Sequence, residues 1–382
     1  MNPDIVIIGG GIVGCSCAYY LARAGVRVHL VEKGPLGSGA SKSGMMHVVT
    51  WEEPEIHLEL ARRSRKLYEE LNAELPSAIE FRPTGSTAIV ETPQSLANME
   101  AMVQRLQTWG LKCSMLSNQD MLKREPNIAP DIAGGVFFEE DAMVNPLYTT
   151  LALARAARDY GAVIESQTTV TGIELSEEKN SINAVMTDRG RIPTKNIVIA
   201  SGAWSGLVGK MIGLEIPVTP RKGTLVVTAP VPENFMNCKI ILAAGYMDAV
   251  KDGAKSGVAV AANIEQAKNG NLLLGSSRQF VDFDPEVDPK VVDAMLSRCL
   301  RFFPRLSDIS AVRTWTGFRP YTPDLLPIIG SLDRISGVYL ATGHEGIGIT
   351  EGPITGKLIS QIVTGQQPEI DLSQLTLDRF KN

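Results

Sequence analysis

Cysteine is scarce in this 382-residue chain. Its five residues, Cys15, Cys17, Cys113, Cys238 and Cys299, are odd in number and show no C-x-x-C spacing. That pattern excludes a disulfide framework and a tetrahedral zinc site. Histidine is scarcer still: His29, His47, His57 and His344 are too scattered to read as metal ligands, so no metal is expected. Excess basic charge is also missing. With 37 Lys+Arg against 42 Asp+Glu the formal charge is −5, which offers no footprint for a nucleic-acid backbone and no polybasic membrane anchor. No apolar run reaches the ~18 residues of a bilayer crossing. The apolar stretch 5–17 is interrupted by glycine and lacks the basic segment that opens a signal peptide. A reduced, cytoplasmic protein is expected.

Glycine, by contrast, is plentiful: 35 of 382 residues, above the ~7% average, while aromatics are only 6%. That combination points to tight turns and close backbone approaches. A 44% hydrophobic, 21% charged composition excludes disorder as the main state, and at about 150 residues per domain the length suits two to three domains.

The glycines concentrate first at the N-terminus. Residues 4–8 (DIVII) form a continuous β-branched run, the pattern of a strand buried on both faces. It leads directly into Gly9-Gly10-Gly11-Ile12-Val13-Gly14, a G-x-G-x-x-G match. Residues 15–24 then read as a helix ended by Gly25, and 26–32 (VRVHLVE) as a second strand ending in an acid. Strand, glycine turn, helix, strand and acid stand in the order of a dinucleotide-binding unit. Gly9 permits the turn, Gly11 admits a pyrophosphate, and Gly14 lets helix and sheet approach. The helix N-terminus adds partial positive charge, and Glu32 is placed to accept from ribose hydroxyls. This unit alone does not separate NAD from FAD. The Gly/Ser-rich loop 33–44 (KGPLGSGASKSG) stands where an NAD enzyme usually continues with another helix–strand repeat, and it can lay backbone N–H groups along a pyrophosphate.

Here the chain resembles the D-amino-acid oxidase superfamily of FAD enzymes, which includes glycine and sarcosine oxidases. The resemblance runs through residues 9–33 and 37–44, resumes at 197–205 (IVIASGAWS), and ends with 317–330 (GFRPYTPDLLPIIG) and 341–359 (ATGHEGIGITEGPITGKLI). Residues 220–228 and 270–280 look most like the catalytic subunits of dye-linked L-proline dehydrogenase, D-hydroxyproline and opine dehydrogenases, and hydrogen cyanide synthase. The fold expected is α/β in two parts (α+β overall). A discontinuous Rossmann-like FAD-binding domain takes 1–80, 142–216 and 313–382. A substrate-binding domain with a mixed, largely antiparallel sheet takes 81–141 and 217–312. The residues agree with this layout: 81–91, 224–227, 240–242, 258–261 and 272–274 read as strands, and 95–110 and 289–303 as helices.

The resemblance implies dehydrogenation of a small amino or imino acid (proline, hydroxyproline, glycine or an opine) by hydride transfer from the carbon beside the amine to flavin N5. It further implies work beside a larger flavin- or NAD-type subunit and a small iron–sulfur subunit that accept the electrons, with attachment to the inner membrane only through them. The alternatives are a stand-alone oxidase producing hydrogen peroxide and a flavin-bearing assembly subunit without turnover. The cofactor candidates are Gly9, Gly11, Ile12, Val13, Gly14, Glu32, Lys33, Ser38, Ala40, Ser41, Ser201, Gly202, Trp204, Arg319, Gly343, His344, Gly346, Ile347 and Gly348. Arg319 matches the family's carboxylate-binding arginine, a role its guanidinium fork suits; its plainer reading is a structural ion pair, with Asp324 as a candidate partner. Tyr246 and His47 are the other catalytic candidates, with an edge-strand tyrosine as the plainer reading of Tyr246. His344 is expected to shape the loop rather than act as a base. Residues 317–320 contain no cysteine, so FAD is expected to be non-covalent. Residues 141–146 (DAMVNP) lack the histidine that holds covalent FMN in some relatives, leaving only a non-covalent FMN at a subunit interface.

Overall fold

The computed structural model describes residues 2–51, 54–75, 79–243 and 258–380. A six-stranded sheet is built on the apolar run Ile5–Ile8, whose four side chains are all buried. Its order is Ile328–Ser331, Val338–Thr342, Ile197–Ile199, Ile5–Ile8, Val28–Val31 and Val163–Glu165. All neighbours run parallel except the first pair. Side chains alternate between faces. Ile5, Ile7 and Leu30 pack with Ala18, Leu21, Leu153, Ile354 and Leu358 from the helices Ile12–Arg23, Pro146–Asp159 and Gly348–Val363. Val6, Ile8, Val31 and Ile199 face the other way, onto Ile173, Ile182 and Val185 of a three-stranded antiparallel sheet spanning residues 170–193. Each such buried aliphatic contributes roughly 1.5–3 kcal/mol relative to exposure.

An eight-stranded sheet forms the second body of structure. Its order is Ala311–Tyr321, Thr219–Pro230, Asn271–Gln279, Val258–Gln266, Ile240–Ala243, Ser86–Val90, Gly134–Phe138 and Cys113–Ser117. Neighbours are antiparallel except Ile240–Ala243 with Ser86–Val90. The helices Pro93–Thr108 and Pro289–Phe302 fall where the pattern places them.

Four features depart from the sequence reading. The strand expected over 81–91 begins only at Ser86. Gly85 turns the chain there with φ +66°, and Arg82 instead bridges Met143. The helix Glu55–Glu74 and the 170–193 sheet have no counterpart in that reading. Finally, Ala311–Tyr321 crosses the boundary drawn at 313 and pairs along its length with Thr219–Pro230. No helix among the described residues is long and apolar enough to cross a membrane.

Candidate active site

A cleft of about 600 Å³ lies between the C-terminal ends of the Ile5–Ile8 and Ile197–Ile199 strands and the eight-stranded sheet. At the end of the first strand Gly9 holds φ +116°, and a Cβ there would lie 2.5 Å from the Ala200 carbonyl oxygen. A Cβ on Gly14 would lie 2.0 Å from the Gly9 carbonyl oxygen. Only glycine satisfies both contacts, so the turn brings its backbone against the cleft and the helix against the turn. Glu32 is clamped by two backbone donors: Gly10 N–H to one carboxylate oxygen at 2.7 Å and Gly34 N–H to the other at 2.8 Å. Ser41 Oγ accepts from the Ile12 N–H at 2.9 Å, tying the Gly/Ser loop to the helix N-terminus.

The next wall comes from residues 201–204. Ser201 Oγ donates to the Ile8 carbonyl at 2.9 Å. The Lys33 ammonium lies 3.7 Å from the Trp204 ring centroid, and that ring stacks on Phe283 at 5.0 Å. Burial lowers the Lys33 pKa from its ordinary value. The loop before the last helix closes the cleft. There His344 is buried, with Nε2 2.9 Å from Thr355 Oγ1. Burial, helped by the charge of His57, pushes its pKa down to about 3, so the ring is neutral and no proton donor at neutral pH.

The far wall belongs to the eight-stranded sheet. Arg319 Nη1 donates to the Ser277 carbonyl at 2.9 Å. Gly223 on the neighbouring strand makes room, since a Cβ there would lie 2.1 Å from that nitrogen. Arg221, Arg278 and Arg319 converge on Glu345 Oε1 at 3.4, 3.7 and 3.9 Å. Burial pushes the Glu345 carboxyl up, but Arg278, Arg319 and Arg221 outweigh it and hold the pKa below the ordinary range. The Arg221 and Arg278 side chains are 0% and 1% exposed and Arg319 is 17% exposed, so Arg319 is the member that reaches the cleft. Asp324 pairs with Arg379 instead, so the acid beside Arg319 is Glu345 and not Asp324. His47 Nδ1 lies 2.5 Å from buried Glu265, whose other oxygen accepts from the Met46 N–H at 2.6 Å. A carboxylate there requires the proton on Nδ1, fixing the tautomer.

The cleft gathers Gly9, Gly11, Ile12, Val13, Glu32, Lys33, Ser38, Ala40, Ser41, His47, Ser201, Gly202, Trp204, Arg319, His344, Gly346 and Gly348 on its walls. Three expected residues are not on them. Gly14 sits behind the turn, Gly343 (φ +82°) bends the chain against Thr322, and Ile347 is the N-cap of the last helix. Tyr246 lies outside the described residues. Sequence reasoning missed Arg221, Arg278, Glu345, Asn263 and Ser276. Arg221 falls within 220–228, Ser276 and Arg278 within 270–280 and Glu345 within GHEGIG, all segments that carried the resemblance without marking these side chains; Asn263 stands in none of them.

A dinucleotide flavin fits these residues. The turn that a Cβ would block, the clamped acid at the second strand and two polar atoms of cleft residues that lack a partner among the described residues, Asn263 Oδ1 and Ser276 Oγ, together suit a large polar guest. The comparisons agree. The family described as FAD dependent oxidoreductase (DAO) matches residues 4–362. Hydrogen cyanide synthase subunit HcnC of Pseudomonas protegens is 28% identical, over 99% of this chain and 96% of its own length. Glycine oxidase of Geobacillus kaustophilus is 30% identical over 98% and 97%; its crystal structure superposes with a TM-score of 0.88, covering both chains fully. The crystal structure of L-proline dehydrogenase from P. horikoshii shares the fold, with a TM-score of 0.91 at 24% identity over 100% of this chain and 98% of that one. The chain therefore belongs to the DAO family of FAD-dependent oxidoreductases.

Proposed function

We propose that the chain dehydrogenates a small amino or imino acid at the carbon beside its amine, with the donor carboxylate held by Arg319. FAD, when bound, supplies the two-electron acceptor. The observation that carries this reading is the guanidinium of Arg319, which stands on the cleft wall with its orientation fixed by the Ser277 carbonyl and Glu345. A fork held at two sides meets a carboxylate with little ordering cost. The Gly9–Gly14 turn, Glu32 and Ser41 hold the cofactor's adenosine and pyrophosphate side, and the neutral His344 keeps the opposite loop closed. His47, with its proton fixed on Nδ1 by Glu265, orients the donor from the loop side. The likeness to a hydrogen cyanide synthase subunit supports a catalytic subunit that passes electrons to partner subunits; the glycine oxidase likeness supports the alternative, a stand-alone oxidase.

Arg319→Ala tests the anchor. It should retain FAD and raise the donor concentration for half-maximal flavin reduction by more than about 100-fold, the ~3 kcal/mol expected when a buried carboxylate loses its charged partner. Unchanged reduction kinetics would remove Arg319 from donor binding.

A further inference from the structure

An amino or imino acid held through its carboxylate at Arg319 still carries a nitrogen that needs acceptors, since an ammonium only donates. Among the described residues lining the cleft, the acids are Glu32 and Glu345. Glu32 is engaged by the Gly10 and Gly34 N–H groups at the glycine turn. Glu345 stands beside the carboxylate anchor, and two separate contacts keep it there. Its N–H donates at 3.1 Å to the carbonyl of Pro320, the residue after Arg319, and its Oε1 lies 3.9 Å from Arg319 Nε. The chain adopts φ +43° at Glu345, a left-handed conformation uncommon for a residue with a side chain. Such outliers gather where a site needs a group held in place. The carboxylate also has capacity for a guest. Arg221, Arg278 and Arg319 all come nearest to Oε1, and of the three only Arg221, at 3.4 Å, is within hydrogen-bonding reach. The Gly346 N–H adds one bond. A carboxylate accepts at about four positions, and that of Glu345 is 9% exposed on the cleft wall.

Building on the proposed amino- or imino-acid reading, we infer that the Glu345 carboxylate receives the donor's amine nitrogen while Arg319 receives its carboxylate. The spacing selects the class. In an α-amino or α-imino acid one carbon separates the nitrogen from the carboxylate, so their two partners must be neighbours, as Arg319 and Glu345 are. A β-amino acid moves the nitrogen one carbon farther, and a bare carboxylic acid leaves Glu345 facing an apolar group. Burial alone would push the Glu345 pKa up, but Arg278, Arg319 and Arg221 hold it below the ordinary range, so it stays a carboxylate at neutral pH. A base that weak holds an ammonium without taking its proton. Glu345 is therefore a recognition group for the nitrogen.

The test uses ligands matched except for the nitrogen: 2-aminoisobutyrate against isobutyrate, and each enantiomer of proline against cyclopentanecarboxylate. Dissociation constants for the oxidised holoenzyme at neutral pH come from the flavin spectrum or, for proline, from the concentration dependence of anaerobic flavin reduction. Wild type should bind the amine-bearing member of at least one pair about tenfold or more tightly. Glu345→Gln should bring that ratio toward one by weakening the amine-bearing ligand alone. The bare carboxylate should bind that variant as well or better, because an anion beside Arg319 is gone. Glu345→Asp, which keeps the charge on a shorter arm, should retain only part of the ratio. Equal binding within both pairs in wild type overturns the assignment without any variant. A Glu345→Gln variant that weakens both members alike also overturns it, because Glu345 would then only position Arg319. So does one that leaves the ratio unchanged. Should Glu345→Gln lose FAD, an undiminished ratio in Glu345→Asp overturns the assignment in its place. Failure of the underlying reading looks different: none of these ligands binds and no amino or imino acid reduces the flavin, and the assignment falls with it.

Discussion

At the scale of single residues, the site depends on buried charge that is either matched or removed. Arg221, Arg278 and Arg319 surround Glu345, and Glu265 fixes His47. His344 takes the other route and stays neutral. Its folded pKa of about 3 lies below the ordinary 6.5, so between those values the unfolded chain binds a proton that the folded chain excludes. The stability linked to this residue is complete above pH 6.5 and is lost as pH falls. His344→Gln removes the titration. Between pH 7 and pH 5 the variant's melting temperature should fall less than that of wild type, by the equivalent of about 1–2 kcal/mol at pH 5. Parallel melting curves across that range would show that His344 takes up its proton in the fold. Of these residues Arg319, His47 and His344 stood out in the sequence, through the motifs in or beside which they stand. Arg221 and Glu345 are 124 positions apart, and nothing local in either one's neighbourhood announces the other.

At the scale of elements, local chemistry decided what was legible. The Ile5–Ile8 strand, the glycine turn and the Ile12–Arg23 helix are each specified by contiguous residues, and all three form as the pattern implies. The Glu55–Glu74 helix is harder to see. Its buried stripe of Ile56, Leu60, Leu67 and Leu71 is diluted by nine charged side chains over twenty residues and broken by buried His57 and Ser64. The turn also allows two glycines to be told apart. Gly14 packs on the Gly9 carbonyl, whereas a Cβ on Gly11 meets only Ser41 Oγ, at 3.3 Å. Gly14→Ala should therefore destabilise the protein itself, by about 1–3 kcal/mol of overpacking. Gly11→Val should leave the melting temperature of the flavin-free protein nearly unchanged but empty the cofactor site, read as lost absorbance at 450 nm. Full flavin content in Gly11→Val would contradict the assigned phosphate turn.

At the scale of the whole molecule, the cleft is assembled from segments that the chain keeps far apart: residues 8–47, 168–170, 200–211, 223–225, 263–276 and 317–349. The sequence made the cofactor side legible because G-x-G-x-x-G and GHEGIGIT are compact motifs. The donor side was largely hidden, since its wall is defined by strand register, and a shift of one residue would turn Asn263 away from the cleft. What joins the two sides is Glu265, a strand residue that holds the Met46 N–H and the imidazole of His47, the first residue of the short strand His47–Val48, from across the molecule. On the proposed function, this cleft brings an α-amino or imino carboxylate to a bound flavin. Anaerobic bleaching at 450 nm with proline, hydroxyproline isomers, glycine, sarcosine and opines tests it most directly. Bleaching by at least one of them is expected, persisting when air is admitted and reversed by an artificial dye. Rapid recovery in air with peroxide formed would replace the partner-linked dehydrogenase with an oxidase. A flavin that stays oxidised with every donor would contradict the claim itself.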